Sequence, residues 1–252
     1  MKRFLYLGLF ALLTVLVGAN PVDHSAYDAL LHERVSLGRV DYVALQTDAR
    51  LGAYLAHLAA LDPATFSEPE RLTYWINAYN AVTLKLMADS WPVKSIKDIN
   101  GGKPWDRPLF QPVGFEKALT LNQIENDIIR KQFTEPRIHF ALVCAAVSCP
   151  MLRSEAYVAE RLSAQLVGQA NSFLRDPTLN RYDGTTHTLH LSPLFQWYAV
   201  DFGGPEALAK YVQPFLPMAD RASIALAGRA PAVVFGDYDW AANAAPPPEP
   251  KS

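Results

Sequence analysis

The residues best suited to covalent chemistry are His139 and both cysteines of the chain, Cys144 and Cys149. Residues 137–144 alternate polar and apolar side chains, a pattern typical of a half-buried strand, and a Cys-Pro step then follows in a turn. A cysteine attacks a carbonyl carbon as a thiolate, which requires a nearby base or a positive electrostatic environment. The pattern therefore predicts a Cys–His pair that performs hydrolysis or acyl transfer.

The predicted nucleophile is Cys149, because of the direction in which strand residues point. Arg137 and His139 would share one face of a strand, and Cys144, with opposite parity, would lie on the other. A turn could return Cys149 to the face of His139, and backbone N–H groups of a following helix could lower the pKa of its thiol. His139 is then the base, while Arg137 and Cys144 are expected to line the site. The alternative is that His139 is a hydrogen-bonded core residue.

A long helix is predicted to position further polar groups near this pair. Ser67 and Glu70 form a capping box, and an apolar stripe continues from there to about Ala88. Asn77 and Asn80 lie beside the stripe, three residues apart and on either side of Tyr79. The two amides could tie the helix to neighbouring backbone or orient groups in a polar pocket. All three residues are candidate binding residues.

Helices and a few short strands are predicted along the rest of the chain. Helical patterns cover residues 25–37, 48–61, 120–133 and 155–174, and another helix follows Ser192 and Pro193. An Asp-Gly step at residues 183–184 predicts a hairpin with residues 188–191 as its return strand, and residues 232–235 form a last strand. Because strands are few, the predicted fold class is α+β, a single domain with a small, mainly antiparallel sheet packed with several helices.

Glu125 lies on the helix over residues 120–133 and is a further candidate binding residue. It could act as an acid or base, or form a surface ion pair with a basic neighbour. Metal binding is not predicted, because His187 and His190 would lie on opposite faces of a strand and no paired Cys-x-x-Cys occurs. No phosphate loop or dinucleotide fingerprint is present in the sequence, so no cofactor is predicted.

The two ends of the chain indicate export. Residues 1–19 combine a basic start, an apolar run and small residues ending at Ala19, which predicts a signal peptide, the alternative being an uncleaved anchor. The mature chain is then a single periplasmic or secreted domain over residues 20–240, with a disordered Pro-rich tail over 241–252. A formal charge of −2 gives no electrostatic reason to expect nucleic acid or an anionic membrane surface as a partner. No stable membrane insertion is expected after cleavage of the signal peptide. The expected partner is a small molecule or peptide.

Export leaves the state of the cysteines open. In an oxidising compartment, a pair in one chain often forms a disulfide. Cys144 and Cys149 could be bridged if the chain turns between them, whereas an extended strand would keep them apart.

Several motifs together resemble the family called domain of unknown function 547. The matching segments are residues 74–81, Ile124-Glu125 with Arg130, residues 136–150, and residues 195–198 with Asp201-Phe202. The resemblance implies a domain and an occasional secreted setting, and it implies no activity. The order of a helix followed by a histidine-bearing strand is also similar to a transglutaminase or papain-like core. In that core a cysteine begins the helix, whereas this helix offers Asn77 and Asn80.

Two functions of different classes follow from these observations. The first is a thiol-dependent hydrolase or acyltransferase, with Cys149 as nucleophile, His139 as base, and Asn77 or Asn80 donating to an oxyanion. The second is a non-catalytic exported binding or scaffold domain whose cysteines are bridged and whose polar residues form a structural network.

Overall fold

The computed structural model describes residues 22–246 of the chain. The predicted signal peptide and residues 247–252 of the predicted tail lie outside the described residues. The fold is mixed α+β, as predicted, with helices predominating over two small sheets. The helices are α1 (Ser25–Arg34), α2 (Tyr42–Thr47), α3 (Ala49–Ala59), α4 (Glu68–Ser90), α5 (Arg130–Gln132), α6 (Leu162–Leu174), α7 (Leu194–Trp197), α8 (Leu208–Val212) and α9 (Met218–Ala227). The strands are β1 (Val35–Ser36), β2 (Arg39–Val40), β3 (Arg181–Asp183), β4 (Thr188–Leu191) and β5 (Ala232–Phe235).

The central element is α4, which is buried on almost every side from Leu72 to Ala88. It begins where the sequence predicts, because Glu70 accepts a hydrogen bond from the backbone N–H of Ser67 at 3.0 Å in a capping box. Its neighbours include α2, α3 and a π-helical segment at Gln123–Ile129. A helix buried all round must satisfy its polar side chains internally, and this one carries buried asparagines with hydrogen-bond partners.

The two sheets are small. Strands β1 and β2 form an antiparallel pair, and β3, β4 and β5 form a second sheet in which β4 is central. The predicted hairpin is confirmed, because β3 and β4 pair antiparallel with Arg181 opposite His190. Strand β5 lies parallel to β4, with Thr188 opposite Ala232. Of the three pairings among these strands, two are antiparallel and one is parallel.

The strand predicted for residues 137–144 is wrong. A 3₁₀ helix covers Pro136–Phe140, and turns follow it. Local capping explains the difference, since proline fits the first helical position and the Glu135 carboxylate accepts the Arg137 N–H at 3.1 Å. The prediction that Cys144 and His139 lie on opposite faces depended on that strand, so it is wrong as well.

The helix predicted from Ser154 begins later than expected. A 3₁₀ turn at Ala159–Arg161 precedes α6, and the residues before it form a loop. Gln165 holds this loop by accepting the N–H of Val158 at 2.9 Å and donating to the carbonyl of Ala156 at 2.8 Å. The side-chain amide of Gln165 therefore makes the hydrogen bonds that a first helical turn would otherwise make here.

The packed chain continues past residue 240, where the sequence predicts a tail. Asn243 is buried, donates to the Gly38 carbonyl at 2.9 Å and accepts the Tyr42 hydroxyl at 2.7 Å. Its own N–H donates to the carbonyl of Ala145 at 3.1 Å. The C-terminal segment, residues 237–246, thus crosses back over the loop that follows Cys144. Among residues 22–246, no helix is long and apolar enough to cross a membrane.

Candidate functional site

One cavity of about 250 Å³ brings together most of the predicted site residues. It holds the two thiols, His139, Tyr79 and Glu125. The lining consists of Tyr79, Trp105, Asn122, Glu125, His139, Leu142, Cys144, Cys149, Pro150, Leu194, Trp197, Tyr198, Tyr238 and Trp240. Six of these side chains are tyrosine or tryptophan, so the walls are largely aromatic, with a few polar groups between them. Concave sites of this composition are typical of small-molecule binding.

His139 is one end of a chain of charged and polar groups. Its Nε2 lies 2.7 Å from Oδ2 of Asp201, and Arg130 binds the same carboxylate through Nε at 2.6 Å and Nη2 at 2.9 Å. The Arg130 guanidinium lowers the pKa of Asp201, and burial lowers the pKa of His139 to about 4. Near neutral pH the ring is therefore uncharged, donates Nε2–H to Asp201, and keeps its lone pair on Nδ1.

The imidazole of His139 is also held by aromatic stacking. The Tyr198 ring lies 3.9 Å from it between centroids, at an interplanar angle of 23°. The Arg130 guanidinium lies 5.1 Å from the centroid of the same tyrosine ring. Both contacts are made by Tyr198, which lies between α7 and the 3₁₀ helix Ala199–Phe202. That 3₁₀ helix also supplies Asp201. The ring of His139 is thereby fixed in orientation before any ligand is present.

The two cysteines are free thiols and do not form a disulfide. Cys144 is half-buried, and its Sγ lies 3.1 Å from the hydroxyl oxygen of Tyr238. Cys149 is buried, and its Sγ accepts the backbone N–H of Cys144 at 2.9 Å. The backbone between them passes through Ala145 at φ 58°, a left-handed conformation that costs a non-glycine residue roughly 1 kcal/mol or more.

The surroundings shift the pKa values of the two thiols in opposite directions. Burial opposes ionisation of Cys144, but hydrogen bonds from Cys149, Tyr238 and the backbone of Ala146 outweigh it, so the pKa of Cys144 lies below its ordinary value. Burial, together with the adjacent Cys144, raises the pKa of Cys149. Cys144 is therefore the thiol more readily ionised and the more accessible, whereas the sequence favoured Cys149.

The members of the predicted Cys–His pair line the same cavity. Within the described part of the chain, no hydrogen bond joins His139 to Cys144 or Cys149. Each group has other partners, Asp201 for the imidazole and Tyr238 for the Cys144 thiol. The arrangement supplies a thiol and an oriented base in one cavity, where a bound substrate could contact both.

Glu125 is buried and not at the surface, so the predicted surface ion pair with a basic neighbour is wrong. It lies in the π-helical segment Gln123–Ile129, a rare geometry that often occurs at functional sites. The Tyr79 hydroxyl donates to its Oε2 at 3.0 Å, and burial raises its pKa. Arg130, its nearest basic residue in the sequence, pairs with Asp201 instead. Glu125 is thus a buried carboxyl group in the same cavity as the thiols, with a pKa above that of a free glutamate.

Asn77, Asn80 and Arg137 do not line the cavity. Asn77 donates to the Tyr157 carbonyl at 2.8 Å and accepts its N–H at 3.0 Å. Asn80 donates to the carbonyl of Ala141 at 2.9 Å. Both NH₂ groups therefore bind backbone carbonyls, the first of the two roles that the sequence left open for them. Arg137 pairs with Glu135 outside the cavity.

Several residues of the site are missed by sequence reasoning. Asp201 lies in a segment that carries the family resemblance, which was a signal that could have found it. Tyr238 and Trp240 carry no such signal, because they reach the cavity only when the C-terminal segment folds back over the loop after Cys144. Nothing in the described residues groups three or more His, Cys, Asp or Glu side chains in a way that could hold a metal ion.

Comparison with known proteins adds a family and no activity. No curated protein and no solved structure matches the chain. The relation to a transglutaminase or papain-like core is therefore unsupported, and His139 also lacks the strand that such a core requires. Residues 63–174 match the family model described as "Protein of unknown function, DUF547". The resemblance predicted from the motifs is confirmed by this match to a family of unknown function over residues 63–174.

Proposed function

We propose that the protein is a thiol-dependent hydrolase or acyltransferase, with Cys144 as nucleophile and His139 as base. The observation that carries the proposal is the cavity that holds both an accessible thiol of lowered pKa and the oriented chain formed by His139, Asp201 and Arg130. A thiol activated by nearby donors and a base oriented by a third group are the requirements of nucleophilic catalysis. Asp201 is a positioning residue, because it acts through His139.

The reaction uses groups already in the cavity. The Cys144 sulfur attacks the substrate carbonyl carbon, forming a C–S bond while the bond from that carbon to the leaving group breaks. His139 accepts the thiol proton at Nδ1 and returns it to the leaving group. Water, or an acceptor hydroxyl or amine, then displaces the thiol from the thioester. Because no hydrogen bond joins the two residues in the free protein, the substrate must bring His139 and Cys144 into contact.

The lining favours an acyl group or peptide segment with an apolar or aromatic portion. Aromatic faces bind apolar surface well, and six of them surround this cavity. No Lys or Arg of residues 22–246 lines it, which argues against a strongly anionic substrate. We also propose that the protein is exported, as residues 1–19 predict, and that its substrate is met outside the cytoplasm.

Acyl transfer from p-nitrophenyl acetate and p-nitrophenyl phenylacetate tests the proposal. We expect an acyl group on Cys144 in peptide maps of the quenched protein, sensitive to hydroxylamine, with faster acylation by the aromatic ester. Cys144→Ser should abolish the adduct and Cys149→Ser should keep it. His139→Ala should slow acylation by about a hundredfold or more, the usual worth of a general base. A folded wild-type protein that carries no acyl group on Cys144 would refute the proposal.

A binding domain without catalysis is the second candidate. It is favoured by the absence, among the described residues, of a hydrogen bond between His139 and either thiol, and by the structural use of the Cys149 thiol as a backbone acceptor. In this alternative the aromatic cavity binds a small molecule and no covalent adduct forms. The bridged cysteines that this alternative assumed are not present. Quenching of tryptophan fluorescence by phenylacetamide, with no acylation by either ester, would favour it.

A further inference from the structure

We propose that Cys144 and Cys149 form a redox-active dithiol, which exchanges with disulfide compounds and closes reversibly into a disulfide at the cavity wall. Acyl transfer uses Cys149 only as a hydrogen-bond partner of Cys144, a role that does not require a second thiol. The exchange uses no acyl substrate and does not depend on that function. It assigns a substrate class, disulfides of small molecules or proteins, to this pair of thiols.

The backbone contact between the two residues shows that they are close enough to bond. The Sγ of Cys149 lies 2.9 Å from the backbone nitrogen of Cys144. Since an N–Cα bond is about 1.46 Å, that sulfur lies at most about 4.4 Å from the Cα of Cys144. A disulfide requires the two residues to be this close. Rotation of the Cys144 side chain can then bring the two sulfurs together without movement of the backbone.

The loop between the cysteines is held in a conformation that keeps them together. Ala145 is left-handed, and the Cys149 N–H donates to the carbonyl of Ala146 at 3.2 Å to close a turn. Asn80 holds the backbone before the loop, and the C-terminal segment holds the loop itself, for example through the Val147 N–H and the Ala241 carbonyl at 2.8 Å. A strained backbone maintained from both sides is typical of functional sites.

The different surroundings of the two thiols suit the two steps of exchange. Cys144 is half-buried and lines the cavity, where its Sγ lies 3.1 Å from the Tyr238 hydroxyl oxygen. It is suited to attack an incoming disulfide, because attack is made by an accessible thiolate. Cys149 is the more buried of the two and is suited to the second, internal step. The lowered pKa of Cys144 and the raised pKa of Cys149 agree with this order.

The exchange balances with a disulfide as the oxidant. The Cys144 thiolate attacks one sulfur of the disulfide, forming a mixed disulfide and releasing one thiolate. Cys149 then loses its proton and attacks the Cys144 sulfur, forming the internal S–S bond and releasing the second thiolate. The two thiolates leave with the two protons of the cysteines. The protein loses two hydrogens, and the external disulfide becomes two thiols.

Oxidised glutathione is the probe. Wild-type protein is incubated with it, alkylated with iodoacetamide and weighed intact, with a reduced sample alongside. We expect the oxidised sample to take up no alkyl group and to weigh two hydrogens less than the unmodified chain, while the reduced sample takes up two groups. The tryptic peptide of residues 138–153, which carries both cysteines, should weigh two hydrogens less than its reduced form. Two alkylated thiols after prolonged incubation, or glutathione retained on Cys144 of the wild type, would overturn the proposal.

The single variants separate the two steps. Cys149→Ser should stop at one glutathione on Cys144, because the internal step is lost. Cys144→Ser should take up glutathione at least tenfold more slowly, since Cys149 is buried. Equal rates in the two variants would contradict the assigned order. The wild-type masses decide the proposal even if one variant fails to fold, and they involve no ester, so failure of acyl transfer leaves the result unaffected.

Discussion

Asn80 fixes the backbone at Val143, whose N–H donates to the Asn80 Oδ1 at 3.0 Å. The NH₂ of the same amide donates to the carbonyl of Ala141 at 2.9 Å, so one side chain binds the chain at two points just before Cys144. Asn80 lies in the middle of α4, which is the most deeply buried helix. The position of the thiol is therefore set by the helix at the centre of the core.

Replacing Asn80 with alanine should destabilise the protein and loosen the Cys144 loop. Two buried backbone groups lose their partners, which costs about 2–4 kcal/mol of the free energy of unfolding. We expect Asn80→Ala to show this loss in urea unfolding, and to show faster exchange of the Val143 and Cys144 amide hydrogens in mass-resolved measurements.

Asn77→Ala is the matched control. It removes the same kind of paired contact from the same helix, but the backbone it releases is that of Tyr157. A similar loss of stability is expected, with amide exchange at Cys144 unchanged. Equal loosening of the Cys144 loop in both variants would mean that Asn80 acts through general stability.

Tyr238→Phe should raise the pKa of the Cys144 thiol. The substitution keeps the ring and removes only the hydroxyl that lies 3.1 Å from Sγ. A thiolate that loses a donor is less favoured, so we expect the rate of Cys144 alkylation by iodoacetamide to rise at a higher pH than in the wild type. Peptide-resolved alkylation across a pH series measures the midpoint.

The control for Tyr238 is Tyr198→Phe, which removes another hydroxyl from the same cavity wall. The Tyr198 hydroxyl forms a hydrogen bond with Glu125, whereas the hydroxyl beside the Cys144 thiol is that of Tyr238. The pH midpoint of Cys144 alkylation should be the same in Tyr198→Phe as in the wild type. Cys149 should react more slowly than Cys144 in every variant, and faster labelling of Cys149 would contradict the assignment of the accessible thiol.

Mild acid should destabilise the protein through His139. Burial lowers its pKa from 6.5 to about 4, so the unfolded chain takes up the proton first. The stability that depends on a neutral ring is complete above pH 6.5 and is lost as the pH falls toward 4. Between pH ~7 and ~5 we expect a loss on the order of 2 kcal/mol from this residue. Asp201 stays charged over that range, because the Arg130 contact lowers its pKa.

His139→Gln measures this contribution directly. Urea unfolding at the two pH values should show a smaller difference in the variant than in the wild type. His24 is also buried with a pKa of about 4, so His24→Gln should remove a comparable share at a distant place. An unchanged pH dependence in His139→Gln would show that the ring is not held neutral in the folded protein.

Glu125→Gln should stabilise the protein near neutral pH. Burial raises the pKa of this carboxyl, so the stability associated with the protonated form is complete below the unfolded value of ~4.3 and is lost as the pH rises. Glutamine carries no charge and still accepts the Tyr79 hydroxyl. Thermal unfolding should show a higher Tm for the variant at pH ~8 than for the wild type.

Glu135→Gln is the comparison for that substitution. Glu135 pairs with Arg137 at a half-buried position, so its loss should slightly lower the Tm. If Glu125→Gln behaved in the same way, Glu125 would be a stabilising carboxylate. A gain in stability would instead indicate a group kept for function at a cost to folding.

Local signals in the sequence predict α4 and the hairpin correctly. Ser67 with Glu70 defines a helix start through side chains three residues apart, and the Asp-Gly step at residues 183–184 defines a tight turn. The helix start and the tight turn both depend on residues close together in the chain, so the local sequence is enough to predict them.

The residues before Cys144 show where such reasoning fails. Their alternation of polar and apolar side chains fits a strand, but proline at position 136 and the Glu135 side chain favour a 3₁₀ turn. The partners of His139 and Cys144 are Asp201 and Tyr238, which lie far along the chain. No local pattern encodes such pairings, because they arise only when distant segments pack.

The cavity is completed by residues beyond the family segment. Residues 63–174 supply the thiols, His139 and Glu125, whereas Trp197, Tyr198, Tyr238 and Trp240 come later in the chain. During synthesis the reactive groups therefore leave the ribosome well before the walls that enclose them. A fragment ending at Leu174 would lack Asp201 beside His139, and the cavity described above is complete only in a chain that reaches at least to Trp240.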